Sequence, residues 1–460
     1  MWWTIHLDGG PRRVNHAAVA INDKIYSFGG YCSGPNYNSK NDIDVFVLDT
    51  VTYRWYQVTT TSNRKRNSSL KSKLSPTPSS TLPSRFSYNL NEDISDDDEE
   101  ESNNENQNEH YLHTVASELN SIIKKDVPFQ RYGHTVVGYN GKAYLFGGRS
   151  DEHGANSSLH EFDPITFEWK TVEAKGIIPP ARDGHSSNVY GDKMYIFGGF
   201  EYTHRLYSNS VYAFNFKTLT WEHLPTNGKA PSHRDFHASA IVKDKMYIFG
   251  GRGDDEENSS STTTTSTSTS SALVDTYCDK LYCFNLKTNC WEEIETAGDL
   301  PTGRRSHSMW EYRGKLYLFG GYDSINDIHF NDFYVFDTEK FIWTKLQPNG
   351  EHPTPRRRQC SAIVGDKVFI FGGTMPDKAK RPGTLCDLAD MYVLDYCASL
   401  KTLAARALIQ YGTSIKNLPP LGKTLDRDLY NMSQLNTITS TTATTTSSTS
   451  RSETIFSYST

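Results

Sequence analysis

Paired cysteines are missing from this chain. Its seven Cys are odd in number and nowhere spaced Cys-x-x-Cys, which points to neither a disulfide framework nor a zinc site. No window approaches the apolar length that crosses a bilayer, and Met1-Trp2-Trp3-Thr4 is not the opening of a secretory signal. Charge of one sign is not in large excess either, since 48 Lys and Arg against 54 Asp and Glu leave a formal net charge of −6. A soluble intracellular protein is expected, cytoplasmic first and nuclear as a second compartment, with no membrane partner. The marks of enzyme chemistry are absent too: no phosphate-binding Gly-rich loop with Lys-Ser or Lys-Thr, no Gly-x-Ser-x-Gly elbow, no His pair at metal spacing on a helix. No catalytic residue, cofactor or metal is expected, and binding is the better class.

What the chain has instead is a repeat. Six apolar segments end in Phe-Gly-Gly, at Phe28-Gly29-Gly30, Phe146-Gly147-Gly148, Phe197-Gly198-Gly199, Phe249-Gly250-Gly251, Phe319-Gly320-Gly321 and Phe371-Gly372-Gly373. An Arg lies sixteen residues before the first Gly every time, at Arg13, Arg131, Arg182, Arg234, Arg304 and Arg356. A His lies thirteen before it in five units (His16, His134, His185, His237, His307), with Gln359 in the sixth. Downstream, an acid or amide precedes a Trp by six residues in five units, as in Asp49 and Trp55 or Asn215 and Trp221. Where no insertion intervenes the Gly-Gly pairs are 51 or 52 residues apart, the kelch period of one four-stranded blade per repeat. The fold class this implies is all-β, a six-bladed kelch β-propeller.

Each repeated position has a strand-level reason. Asn140-Gly141-Lys142 and Gly191-Asp192-Lys193 supply tight turns between short strands. Alternation such as Met194 and Ile196 with Tyr195 and Phe197 suits strands packed on both faces by neighbouring blades. The Gly-Gly pair permits positive φ and close backbone approach where blades crowd. The acid or amide before Trp opens a hairpin turn, and the repeated His and Arg are expected to bond blade backbone. The sixth repeat runs Met391-Tyr392-Val393-Leu394-Asp395 and then lacks a Trp strand. Trp3-Thr4-Ile5-His6-Leu7 looks like the outer strands of the other units, so it is predicted to pair into the last blade and close the ring.

The propeller is expected over residues 1–398, interrupted by polar insertions at about 59–126 and 254–274. The first carries Arg64-Lys65-Arg66 and an acidic run from Asp96 to Glu101; the second is nearly pure Ser and Thr. Both, and the tail 437–460, are expected to be disordered. A nuclear address in the basic triplet and phosphorylation of the Ser/Thr tracts stand against solvated loops without a fixed role. From Ser399 the period becomes helical, with Leu400, Leu403, Ala404, Ala407, Leu408 and Tyr411 on one face, Ser399 as N-cap and Gly412 as stop. A second apolar series follows Leu418-Pro419-Pro420-Leu421 and includes Leu425, Leu429 and Met432. This helical segment, 399–436, either caps the propeller's side or offers a handle to a partner groove.

In a propeller, the loop after Gly-Gly and the loop entering the next innermost strand emerge on one face around the channel. Immediately after Gly-Gly stand Tyr31, Arg149, Phe200, Arg252, Tyr322 and Thr374. Between the repeated Arg and His stand Tyr132, Asp183, Asp235 with Phe236, Arg305 with Ser306, and Arg357 with Arg358. This face collects Arg and aromatic residues, above all across blades four to six. Converging guanidinium groups in a concave, partly apolar bowl suit an anionic peptide group, because Arg matches a carboxylate bidentately; the alternative is that each Arg pairs with an acid of a neighbouring loop. Nucleic acid is a weaker use of the same charge, which is confined to a pocket mouth and flanked by an acidic insertion.

Four stretches go beyond a generic repeat: Gly9-Gly10-Pro11-Arg12-Arg13-Val14-Asn15-His16-Ala17-Ala18, Tyr26-Ser27-Phe28-Gly29-Gly30-Tyr31-Cys32-Ser33-Gly34, Arg304-Arg305-Ser306-His307-Ser308 and Arg356-Arg357-Arg358-Gln359-Cys360. In these the chain resembles the kelch-repeat substrate receptors of cullin-2 RING E3 ubiquitin ligases, over all six repeats and the first helix beyond them. The resemblance implies a non-catalytic subunit that grips C-terminal degrons ending in Gly and promotes proteasomal degradation. It implies that Arg252 and Arg305 hold the terminal carboxylate, with Tyr31, Arg149, Ser306, Tyr322 and Arg358 completing the degron site. The run Ser399-Leu400-Lys401-Thr402-Leu403-Ala404-Ala405-Arg406-Ala407-Leu408 is similar to the elongin-binding box, with Leu400 as principal anchor beside Leu403, Ala404 and Leu408, although Ala404 stands where the box usually has Cys. Leu418-Pro419 resembles the start of a cullin-2 box whose following residues match loosely. The implied partners are elongin B/C, cullin-2 and proteins with a C-terminal Gly; the alternative is a kelch scaffold that binds chromatin or actin through its outer faces.

Overall fold

The repeated Trp, Phe, Gly-Gly and His lie at joints between blades, and the repeated Arg fastens its own blade. The structure, a computed structural model, describes residues 1–34, 37–62, 126–253, 276–377, 379–381, 383–410 and 423–442. Blade one is an antiparallel sheet of Ala17–Ile21, Lys24–Phe28, Val45–Asp49 and Arg54–Thr59 in chain order. Blades two to five repeat this from Tyr132, Ser186, Ala238 and Ser308. Blade six takes Cys360–Val364, Lys367–Phe371 and Met391–Asp395, and its outermost strand is Trp2–Leu7, with Leu7 opposite Met391 and Trp2 opposite Asp395. The first strands of the six blades neighbour one another in order, the sixth against the first.

The Trp and Phe of the repeat form one contact used six times. Trp169 of blade two packs on Phe28 of blade one at 5.6 Å between ring centroids, and Trp221, Trp291 and Trp343 repeat this on Phe146, Phe197 and Phe249. Trp55 of blade one closes the circle on Phe371 of blade six at 5.1 Å, and Trp3 from the N-terminal strand fills the sixth place on Phe319 at 6.1 Å. All six indoles are almost fully buried, so each blade-to-blade joint carries a large apolar contact, edge-to-face in three joints and tilted in the other three. Between such joints there is no room for a side chain on Gly-Gly. A Cβ on Gly147 would lie 2.6 Å from the His185 ring of the next blade, and one on Gly148 would lie 2.7 Å from Cβ of His134, with both residues at positive φ.

The repeated Arg and His are structural, and the His reaches farther than its own blade. Arg182, Arg234 and Arg304 each donate from Nη1 to the carbonyl of their own blade's first Gly at 2.9–3.1 Å. His134 Nε2 donates to Phe28 O of the preceding blade at 3.1 Å, while His185 and His237 meet the hydroxyls of Thr135 and Ser186 there. Gln359 donates to Ser308 Oγ and Phe319 O in the same way, which explains why an amide can replace the imidazole. Burial pushes His16, His134 and His307 down to about 3, so the imidazoles are neutral.

A ring of six backbone hydrogen bonds encircles the axis. Its members stand one residue before each His or Gln: Asn15, Gly133, Gly184, Phe236, Ser306 and Arg358, all at φ between 50° and 69°. Each N–H donates to the preceding member's carbonyl at 2.8–3.2 Å, and Asn15 N to Arg358 O closes the circle. Non-glycine residues in this left-handed region are held there by the surrounding structure.

Three expectations change. The tail was read as disordered from 437, yet Thr439–Thr442 forms a strand parallel to Arg54–Thr59, Thr439 opposite Tyr56. In five blades a two-residue strand of the connecting segment covers the outermost strand, for example Lys175–Gly176 on Thr220–His223. Blade one obtains this cover from the tail, where β-branched Thr suits an edge position. The insertion placed at about 59–126 has ordered edges: Thr61–Ser62 pairs with Glu168–Trp169, and buried Asp126 accepts hydrogen bonds from Ser62 Oγ and Thr171 N. Residues 63–125 and 254–275, where the rest of both insertions falls, lie outside the described residues.

The third change concerns the helices α1 (Leu400–Gln410) and α2 (Lys423–Ser433). Ser399 caps α1 as predicted, its Oγ accepting from Thr402 N at 3.1 Å. The apolar face, however, is divided. Ala405, Leu408 and Ile409 of α1, with Leu425, Leu429 and Met432 of α2, pack on Ile5, Leu7, Trp55 and Phe371 of the propeller. Leu400, 86% exposed, and Ala404 point to solvent, because Ala405 takes the place against the propeller that the predicted stripe gave to its neighbours. Tyr411, Gly412, Leu418 and Pro419 lie outside the described residues.

Candidate functional site

The two variable positions of each repeat face each other by register. Val14 bridges Tyr31, Tyr132 pairs with Arg149, Asp183 with Phe200, Asp235 with Arg252, Arg305 with Tyr322 and Arg357 with Thr374. Each couple is seventeen residues apart, so six couples are set around the mouth of the channel. They surround a cavity of about 480 Å³ whose polar and aromatic lining includes Tyr31, Tyr132, Arg149, Asp183, Asp235, Arg252 and Arg358.

The predicted site residues are distributed as follows. Tyr31, Arg149, Arg252 and Arg358 line the cavity. Arg305 and Tyr322 stand on the adjoining wall, where Arg305 lies over the rings of Tyr277 and Tyr322 and Arg357 covers Tyr322 at 3.8 Å. Ser306 belongs to the backbone ring and is not part of the cavity lining. Asn15, Tyr202, Tyr207 and Asp151 also line it and were not foreseen as site residues, whereas Phe236, which also lines it, stands at one of the variable positions named from the sequence. Tyr207 could have been found from pairing, since it stands opposite Phe200.

Charges of both signs meet in the bowl. Arg149 of blade two donates to the Tyr202 hydroxyl at 3.0 Å and lies 3.8 Å from Asp151. Arg252 donates from Nε and Nη2 to the two oxygens of Asp235 at 3.1 and 2.6 Å, and the Asp235 side chain is only 1% exposed. The expectation that Arg252 offers an open fork is thus corrected, because a neighbour seventeen residues back already engages it. Arg358 lines the same cavity, its Nε buried without a hydrogen-bond partner. Burial and then the guanidiniums of Arg357, Arg305 and Arg252 push it down to about 10, and it stays charged at neutral pH.

Asp183 is the complementary anomaly. Burial and then neighbouring Asp235 raise its carboxyl to about 7, although Arg149 and Arg252 oppose the shift. Since the folded chain binds this proton more tightly than the unfolded chain, ionisation costs stability progressively as pH rises from about 4 to about 7. Asp183→Asn should therefore leave the melting temperature unchanged below pH ~4 and raise it above pH ~7, by the equivalent of roughly 2–4 kcal/mol. Thermal melts from pH 4 to 8 check this, and a uniform loss would contradict it.

Among the described residues one trio, His6, Asp8 and Asp390, brings possible metal-donor atoms within 4.8 Å. Asp390 accepts from both terminal nitrogens of Arg356 at 2.7 Å, and His6 stacks on Tyr392, which accounts for their placement. No helix among the described residues is long and apolar enough to cross a membrane.

Fold and bowl together define a kelch-repeat β-propeller with a substrate-binding face. The chain belongs to the family of the KLHDC2/KLHL20/DRC7 Kelch-repeats domain, which matches residues 97–273, 133–373 and 266–404, and a Kelch motif matches residues 12–62. It is 37% identical to kelch domain-containing protein 3 of Homo sapiens over 423 residues, covering 91% of this chain and 93% of that protein. The Bos taurus protein of the same name is 37% identical over 420 residues with the same shares. Host cell factor 2 of Homo sapiens is 28% identical over 272 residues, 56% of this chain and 32% of that protein.

Proposed function

We propose that this chain is the substrate-recognition subunit of a cullin-2 RING E3 ubiquitin ligase, joined to it through elongin B/C, and that it delivers proteins ending in Gly for proteasomal degradation. The observation that carries this reading is the convergence of Arg252 and Arg358 with Tyr31, Tyr132 and Phe236 in one cavity at the channel mouth. A free C-terminus brings one carboxylate and a narrow end, which suit a concave cavity at a channel mouth. The basic side of the bowl receives the carboxylate, and the tyrosines pack on the preceding peptide units. The elongin side rests on Leu400 and Ala404, which stand exposed on a helix whose other face is anchored to blades one and six. Rigid attachment of that helix would hold the bound substrate at a fixed place relative to the ligase.

A fluorescent reporter ending in Gly tests the whole reading in cells. Removing this chain is expected to lengthen the reporter's half-life severalfold and to leave unchanged the same reporter extended by one bulky residue. Equal half-lives with and without the chain, across a panel of Gly-ended sequences, would overturn the proposal.

A further inference from the structure

We infer that the primary anion-binding group of the bowl is Arg358, seated in the backbone ring, and that the Arg252–Asp235 pair is a prebuilt wall that positions the ligand without taking its charge. The inference deepens the proposed reading and rests on it for the ligand, a peptide C-terminal carboxylate. Three observations converge.

The first is availability. Three arginines line the cavity, and two are engaged: Arg149 with the Tyr202 hydroxyl beside Asp151, and Arg252 with both oxygens of Asp235. A carboxylate that displaced Asp235 would leave a buried negative charge without its partner, which is strongly unfavourable. Arg358 has no carboxylate within ion-pair distance among the described residues, and its Nε is buried without a hydrogen-bond partner.

The second is position. Arg358 holds φ of 62° and contributes both its N–H, to Ser306 O, and its C=O, from Asn15 N, to the ring. The base of the side chain is therefore fixed at the axis, where a peptide end entering along the channel would arrive.

The third is the field. Arg357, Arg305 and Arg252 act on Arg358 with like charge, that of Arg252 offset by its pair with Asp235. An incoming carboxylate relieves this repulsion at once, whereas a neutral amide does not. Preorganised positive charge in a partly buried site is the arrangement that makes one negative charge count most.

The test compares a Gly-ended peptide with its C-terminal amide against three proteins: wild type, the double variant Arg252→Gln/Asp235→Asn, which removes both charges of the pair and leaves neither buried alone, and Arg358→Asn. Asn tolerates the left-handed backbone and already occupies the matching ring position at Asn15, so this variant removes the guanidinium and keeps the fold. A melting temperature within a few degrees of wild type confirms that it does. The acid-to-amide affinity ratio is expected to fall from ~100-fold in wild type to within ~threefold in Arg358→Asn, and to stay above ~30-fold in the Arg252→Gln/Asp235→Asn double variant. A ratio preserved in Arg358→Asn, or lost only in the Arg252→Gln/Asp235→Asn double variant, overturns the inference. If no Gly-ended peptide binds the wild-type protein, the degron reading fails separately. N-acetylglycine against N-acetylglycinamide, followed by thermal shift, then decides the anion site: stabilisation by the acid that Arg358→Asn abolishes supports it, and equal behaviour of the two probes overturns it.

Discussion

A peptide ending in a free glycine is expected to bind this protein about a hundredfold more tightly than the same peptide closed by a C-terminal amide. Amidation changes one atom and almost no volume, so packing against Tyr31, Tyr132 and Phe236 is the same for both. What differs is a charge and one acceptor oxygen, which the amide replaces with a donor NH2 group. A charge-assisted, two-pronged contact with a guanidinium contributes on the order of 3 kcal/mol more than the neutral contact, which is the hundredfold. Because the receiving arginine is mostly buried, salt screens the contact weakly, and the ratio should survive at ionic strengths that abolish surface steering. Fluorescence polarisation with the two peptides at 0.1 and 0.5 M salt, roughly the range over which the screening length halves, separates these cases. Equal affinity for acid and amide would show that the bowl reads the side chains and not the terminus. A ratio that collapses with salt would move the carboxylate to the exposed rim.

The origin of that contact shows how far the sequence alone reaches. The Phe-Gly-Gly, His and Trp spacings specify six blades because these residues serve the joints between neighbours, and the Arg spacing because each Arg fastens its own blade's Gly-Gly; such a contact leaves the same mark wherever it recurs. Trp3 is found by the same logic: the sixth repeat lacks its indole, and Phe319 needs one. The tail strand left no such mark. Thr439–Thr442 is read by composition as polar chain with nothing to bury, and its order comes from an edge: blade one offers the side of Arg54–Thr59, which connecting segments cover in the other five blades.

The bowl was legible as a list of positions but not as a set of pairs. Tyr31, Arg149, Arg252 and Arg358 were identified because they vary where the repeat is otherwise constant, and the structure brings these four together. That Arg252 faces Asp235 follows from a register of seventeen residues shared by all six units. Asp183 and Asp235 were seen at variable positions, but their effect depends on burial beside each other, which spacing does not report.

A second large effect is expected at the helix. Replacing Leu400 with Arg should abolish co-purification of elongin B/C while leaving the affinity for a Gly-ended peptide and the melting temperature unchanged. The side chain is 86% exposed, and substitutions at such positions usually change stability by within about 0.5 kcal/mol. In a partner's groove, by contrast, an apolar anchor replaced by a charge leaves that charge desolvated, a loss of several kcal/mol that takes a tight complex beyond detection. Leu408→Arg provides the contrast on the same helix. Leu408 packs on the propeller cluster with Leu429 and Met432, so its replacement should lower the melting temperature and loosen the helix from blades one and six. If Leu400→Arg retains elongin, the exposed end of α1 is not the docking handle. If both variants lose elongin but only Leu408→Arg melts early, α1 divides its labour between two faces: the Ala405, Leu408 and Ile409 side sets where the helix stands, and the Leu400 and Ala404 side is what a partner meets.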